Sequence, residues 1–136
     1  DYERITSYYE NYQDISKVIP FCNEMHLAYV ASDLAIVRSG ASSLAEISAY
    51  AIPAILVPYP FATDDHQTLN ANYYVKNGAA RLIKEEQLNT DSLFSFIDEL
   101  FKDDGKYYRE MKTSMKNLSR VDSAEKICDK INNLCN

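Results

Sequence analysis

The stretch Arg38-Ser39-Gly40-Ala41-Ser42-Ser43 lies between an apolar run, Leu34-Ala35-Ile36-Val37, and a helix-like pattern from Ser43 to Tyr50. Small residues where a strand hands over to a helix N-terminus present unpaired backbone N–H groups and the positive end of the helix dipole, the makings of an anion cradle. Gly40 permits close approach of the backbone, Ala41, Ser42 and Ser43 keep the mouth uncrowded, and the two hydroxyls add donors. The plainer reading is a turn in which Gly40 only supplies a permissive backbone, and spacing alone leaves both open. Glu46 also has two readings. Ser43-Leu44-Ala45-Glu46 fits the S-x-x-E capping box. Alternatively, its carboxylate stands one turn into the helix, placed to accept two hydrogen bonds from vicinal ribose hydroxyls.

A second polar cluster, Asp64-Asp65-His66-Gln67, opens another predicted helix. Acidic N-capping by Asp64 or Asp65 is the bland explanation. Adjacent Asp residues point in different directions and no further His or Cys cluster supplies a third and fourth ligand, so no metal is expected. His66 and Gln67 can hydrogen-bond sugar hydroxyls, and Asn70 one turn later can steady the loop. His26 reads as a helix-surface residue.

These groups matter only if the fold collects them. Leu34 to Val37 and Ala54-Ile55-Leu56-Val57 are continuous apolar runs, the pattern of parallel strands buried on both faces. Lys17-Val18-Ile19-Pro20-Phe21 and Ala80-Arg81-Leu82-Ile83 read as further strands. Helices are expected at Tyr2 to Tyr12, Glu24 to Ala31, Ser43 to Tyr50, Gln67 to Lys76 and Ser92 to Lys102, the last capped by Thr90 or Asp91. Two more are expected between Tyr107 and Leu134, broken near Ser119 to Asp122, and Asp103-Asp104-Gly105 is a turn. This alternation predicts a doubly wound α/β domain with a parallel sheet. Ligands of such sheets bind at the carboxyl ends of the strands, so Phe21-Cys22-Asn23, Arg38 to Ser43 and Pro58 to Gln67 should share one rim.

Length and composition agree. A chain of 136 residues, 46% hydrophobic, fits one modest domain, with no run near the roughly 18 apolar residues of a membrane span. Fourteen basic against 20 acidic side chains give a formal charge of −6, which argues against a phosphate-backbone binder and so against nucleic acid. Cys22, Cys128 and Cys135 are odd in number and spread out. If their segment is helical, Cys128 and Cys135 lie about 10 Å apart along its axis and should not bridge. With no signal-like apolar N-terminus, a reducing, cytoplasmic setting is expected. Asp1-Tyr2-Glu3-Arg4 lacks an initiator Met and runs straight into a helical pattern, which suggests a fragment.

Several runs together carry a family likeness: Pro20-Phe21-Cys22-Asn23-Glu24-Met25, Ala31-Ser32-Asp33-Leu34 through Arg38-Ser39-Gly40-Ala41, Glu46-Ile47, Pro53-Ala54-Ile55-Leu56-Val57-Pro58, Asp64-Asp65-His66-Gln67-Thr68-Leu69-Asn70-Ala71 and Gly78-Ala79-Ala80. The chain resembles the C-terminal domain of the MurG transferases over essentially its whole length. These peripheral enzymes of the cytoplasmic membrane face add N-acetylglucosamine from UDP-GlcNAc to the lipid-linked muramoyl-peptide in peptidoglycan synthesis. The resemblance implies residues 1–136 of a truncated GT-B, Rossmann-like donor domain. It would be metal-independent, with helix amides in the role of a divalent cation.

By the same resemblance, backbone at Phe21 and Cys22 reads uracil, with Met25 packing nearby. Gly40, Ala41 and Ser43 meet the diphosphate and sugar, Glu46 the ribose, and His66 with Gln67 the GlcNAc hydroxyls, and Arg38 and Ser39 are counted with them as donor-binding residues. No catalytic residue is expected in this part. The family's opening strand, its Gly-rich loop and the N-terminal domain that holds the acceptor and touches the membrane are not in this sequence. The chain alone should therefore be inactive and bind UDP-GlcNAc weakly, and its exposed sheet edge should favour self-association. Ala51 stands where the family usually has Gly, at a helix end that often needs positive φ. The alternatives are another GT-B UDP-GlcNAc protein, either a 2-epimerase or a small donor-binding subunit that works with a membrane partner, and a non-catalytic doubly wound signalling domain.

Overall fold

The computed structural model describes residues 1–135, and the chain divides into two compact units, Asp1–Val30 and Ala31–Asn136. The first unit holds α1 (Tyr2–Tyr8), a 3-10 turn at Glu10–Tyr12 and α2 (Met25–Val30). The strand expected at residues 17–21 does not form. A strand persists only with a ladder partner for its backbone groups; this unit contains no strand, and Pro20 removes one donor.

The second unit carries a three-stranded parallel sheet in the order β1-β2-β3, formed by Ala35–Val37, Ala54–Leu56 and Ala80–Leu82. Ile36 is level with Ile55, and Ile55 with Arg81, so these three side chains share one face. Every residue of β2 is buried, as its unbroken apolar run requires of a central parallel strand. The crossovers are α3 (Ala41–Ala49) and α4 (His66–Lys76). Strand order follows chain order, so right-handed connections put both helices on one face.

The opposite face is covered by α5 (Thr90–Leu118). Its Phe96, Leu100 and Met111 form a core cluster with Ile55, Val57 and Ile83, and the Arg81 guanidinium lies 5.6 Å from the centroid of the Phe96 ring. Helices on both faces of a parallel sheet are the doubly wound α/β arrangement read from the sequence.

Three local features differ from expectation or refine it. Asn89, rather than Thr90 or Asp91, caps α5: its side chain accepts from the Ser92 amide at 2.9 Å while Ser92 Oγ accepts from the Asn89 amide at 3.1 Å. Non-helical backbone at residues 102–105 interrupts α5, with Asp103, Asp104 and Gly105 all at positive φ. Helix α6 (Ser123–Cys135) comes next. Among the described residues Cys22 and Cys128 are free thiols; the Cys135 side chain lies outside the described residues. No helix among the described residues is long and apolar enough to cross a membrane.

Helices α3 and α4 end alike. After α3, the Ala51 amide bonds Ser48 O and the Ile52 amide bonds Ile47 O; after α4, Gly78 bonds Val75 O and Ala79 bonds Tyr74 O. Both are Schellman closures, which need a left-handed residue just past the cap. Gly78 supplies it at φ 70°, whereas at the first site Ala51 is forced to φ 54°.

Candidate functional site

The carboxyl rim is built from the segments that leave the ends of the strands. Beyond β1, Gly40 is the N-cap of α3 with φ −68° and ψ 145°, and no side chain caps the helix. The first helical bond runs from the Leu44 amide to Gly40 O at 3.0 Å, so the amides of Ala41, Ser42 and Ser43 precede any intrahelical acceptor. A Cβ built on Gly40 would meet nothing within 4 Å. Neither positive φ nor packing therefore demands glycine here; what the residue leaves is open space over three amides at the positive end of a nine-residue helix.

The capping box expected at Ser43 and Glu46 is not present. Because α3 starts at Ala41, Ser43 is already its third residue and Glu46 its sixth. That places Glu46 about 9 Å along the axis from the N-cap, and its side chain is exposed.

Beyond β2, the loop 58–65 leads into α4. Asp64 and Asp65 are both left-handed, at φ 51° and 52°. Asp65 occupies the N-cap position but makes no side-chain cap bond, so acidic capping is not what these residues do; Asp tolerates the left-handed region better than most residues. His66 Nδ1 lies 2.7 Å from Thr63 O. A carbonyl only accepts, so that nitrogen carries the proton and neutral His66 presents Nε2 as an acceptor. Gln67 Oε1 accepts from the Tyr59 amide at 3.0 Å, which directs its amide nitrogen to donate elsewhere.

The two rim segments are tied together. Buried Ser39 donates from Oγ to Gln67 O at 2.8 Å, and Asn70 Nδ2 donates to Ser39 O at 3.1 Å. Arg38 Nη1 reaches Val57 O (3.3 Å), Pro58 O (3.1 Å) and Glu85 Oε2 (2.7 Å). Glu85 lies just past β3 and is not among the residues picked out from the sequence; the rule that singles out residues after each strand applies equally to the fourth predicted strand and points straight at it. Beside these groups a cavity of about 510 Å³ opens between Pro58, Pro60, Phe61, Thr68 and Glu85.

The second unit thus gathers Arg38, Ser39, Gly40, Ala41, Ser43, His66 and Gln67 at strand ends and helix starts. Phe21, Cys22 and Met25 belong to the first unit, where Phe21 and Met25 are exposed and Cys22 is half-buried. Among the described residues no group of three or more His, Cys, Asp or Glu side chains is placed to hold a metal ion.

A parallel α/β sheet with helices on both faces and open helix amides on its carboxyl rim defines a Rossmann-like α/β domain. A family model described as "Glycosyltransferase family 28 C-terminal domain" matches residues 1–127, and the chain belongs to that family. Relatives named UDP-N-acetylglucosamine–N-acetylmuramyl-(pentapeptide) pyrophosphoryl-undecaprenol N-acetylglucosamine transferase include one from Halothermothrix orenii, 45% identical over 104 residues, covering 76% of this chain and 28% of the relative. The protein of the same name from Methylococcus capsulatus is 44% identical over 112 residues (82% and 31%). That from Geobacter metallireducens is 37% identical over 131 residues (96% and 36%). The crystal structure of Acinetobacter baumannii MurG superposes with a TM-score of 0.77 at 29% identity, covering 86% of this chain and 33% of that one. The chain spans about a third of the length of the proteins it matches.

Proposed function

We propose that this chain is part of the donor-binding domain of an inverting transferase that moves N-acetylglucosamine from UDP-GlcNAc to a lipid-linked muramoyl-peptide in peptidoglycan synthesis. The observation that carries the reading is the mouth of α3, where three uncapped amides face open space above Gly40. The names of the relatives supply the chemistry of the ligand: all three are named as the same UDP-N-acetylglucosamine transferase. Nothing found favours an epimerase or a signalling domain.

In this reading the diphosphate sits on the amides of residues 41–43, with Gly40 and Ala41 beneath it and the Ser43 hydroxyl as a further donor. Arg38 and Ser39 hold the mouth in place, and Glu46 takes the ribose hydroxyls. His66 Nε2 accepts from a GlcNAc hydroxyl and the Gln67 amide donates to one. For Phe21, Cys22 and Met25, which belong to the first unit, contact with the uracil is the role that the family resemblance implies. As the acceptor hydroxyl attacks the anomeric carbon from the opposite face, negative charge grows on the departing UDP. Fixed amides and the helix dipole stabilise that charge more than the bound ground state, which is the differential binding catalysis requires. Acceptor and membrane contact are assigned to the remaining length of the whole enzyme, at the cytoplasmic membrane face.

Saturation-transfer NMR of the chain with UDP-GlcNAc tests the proposal. Transfer to uracil, ribose and acetyl protons, displaced by UDP but not by GDP, is the expected result. Equal displacement by GDP, or turnover by the isolated chain, would refute it.

A further inference from the structure

The Arg38 side chain joins all three strand ends. It lies just past β1, it bonds the carbonyls of Val57 and Pro58 just past β2, and it pairs with Glu85 just past β3. One nitrogen makes all these contacts: Nη1 has two hydrogens and three acceptors, so one hydrogen serves Glu85 and the other is shared by the two carbonyls. The guanidinium carbon also lies 5.6 Å from the centroid of the Tyr59 ring.

We infer that Arg38 is a positioning residue: paired with Glu85, it locks the loop 58–67 against the end of β1 and so sets Gln67, instead of lending its charge to the diphosphate. This rests on the donor-binding reading above and deepens it.

Two observations support the assignment. First, the loop needs holding. Asp64 and Asp65 are consecutive non-glycine residues at positive φ, a conformation that lasts only where the surroundings over-determine it. The bonds that fix the loop radiate from Arg38 and its neighbour. Arg38 holds Pro58 and faces Tyr59; the Tyr59 amide holds Gln67 Oε1; Ser39 Oγ holds Gln67 O. Second, the charge of Arg38 is already matched at 2.7 Å by a carboxylate. The carboxylate so close to the guanidinium weakens the attraction its remaining N–H groups could offer a ligand phosphate.

The two roles predict opposite signs for one variant. If Arg38 were a phosphate ligand held back by its partner, Glu85→Gln would free its charge and tighten UDP binding. As a positioning pair, Glu85→Gln loosens the loop and weakens UDP binding, by about threefold for a half-exposed pair of this kind. Arg38→Met, which keeps the apolar stem, weakens it similarly. The double variant is no worse than Arg38→Met alone, because the two residues act through one contact.

The experiment is UDP titration of the intact chain and these three variants, together with amide hydrogen exchange at Tyr59 without ligand. Faster exchange at Tyr59 in both single variants, with weaker UDP binding in Glu85→Gln, is the expected result. Tighter binding in Glu85→Gln, or unchanged Tyr59 exchange, would overturn the inference. If the unmodified chain shows no UDP response the donor-binding reading fails, and the exchange measurement still decides whether Arg38 and Glu85 hold the loop.

Discussion

Gly40→Asp separates the ligand from the fold. Gly40 already has the extended backbone of an N-cap, φ −68° and ψ 145°, with open space for a Cβ and no existing cap bond. An Asp there can accept from the amide of residue 42 or 43. The cap bond adds a few tenths of a kcal/mol over Gly, the charge beside the helix N-terminus ~0.3–1 kcal/mol, and the stiffer unfolded chain ~0.4–1 kcal/mol. A net gain of about 1 kcal/mol is a conservative sum, and for a chain of this length it raises Tm by about 3–5 °C. The same carboxylate occupies the amides assigned to the diphosphate and repels it. A like charge about 4 Å away costs between ~1 kcal/mol in water and ~4 kcal/mol near a protein surface, so UDP affinity falls at least about fivefold. Differential scanning calorimetry and an NMR titration of the same sample read both numbers. A stabilised variant that still binds UDP as the parent does would refute the placement of the diphosphate; a destabilised one would show that the amides at 41–43 are not open to a cap.

Ala51→Gly relieves a left-handed alanine whose conformation costs ~1–2 kcal/mol, partly offset by glycine's greater unfolded freedom, so thermal unfolding should shift up by a few degrees. Gly78→Ala at the matching end of α4 has room for the Cβ, with Ser114 Oγ at 3.5 Å, and should lose about 1 kcal/mol through φ alone; effects of the same sign from the two substitutions would contradict the shared closure. Lys126 donates to the Asp122 carboxylate at 2.6 Å and holds its carboxyl below the usual range. With a folded-state pKa below the unfolded value, this contact supports the start of α6 above ordinary carboxylate pH and is lost as pH falls through the depressed value. A carbon-detected NMR titration should show Asp122 titrating below the ordinary range of an Asp carboxyl, and an ordinary midpoint would refute the assignment. Within the sheet β1 pairs only with β2, so its outer edge should drive concentration-dependent self-association; a monomer at every loading concentration in size-exclusion chromatography would count against this.

The sheet was legible because its strands need no long-range information. Ala54 to Val57 is too apolar for any site but one buried on both faces, and it is buried throughout. Leu34 to Val37 forms the strand its composition predicts but not the two-sided burial, since β1 lies at the end of the strand order with Ile36 exposed. The mouth at Gly40 was legible for a similar reason, small residues between a strand and a helix. What the sequence hid depended on partners. Residues 17–21 have strand composition, but pairing decides strands, and their own unit provides no ladder. The Ser43–Glu46 capping box failed through register, since the helix starts two residues before Ser43 and turns the motif into helix interior. Asn89 is masked as a cap because Thr90 and Asp91 carry equally good capping side chains one and two residues later. The contact between Arg38 and Glu85 spans the chain from β1 to the loop after β3, and no local pattern encodes such a pair.

The central claim is that the amides at the start of α3 hold a diphosphate. A proton–nitrogen correlation spectrum of the isotopically labelled chain, titrated with UDP into the millimolar range, addresses it residue by residue. Weak, saturable binding is expected, with the largest downfield amide shifts at Ala41, Ser42 and Ser43 and smaller ones at Gln67. Saturable shifts that leave residues 41–43 unmoved and cluster elsewhere would contradict it.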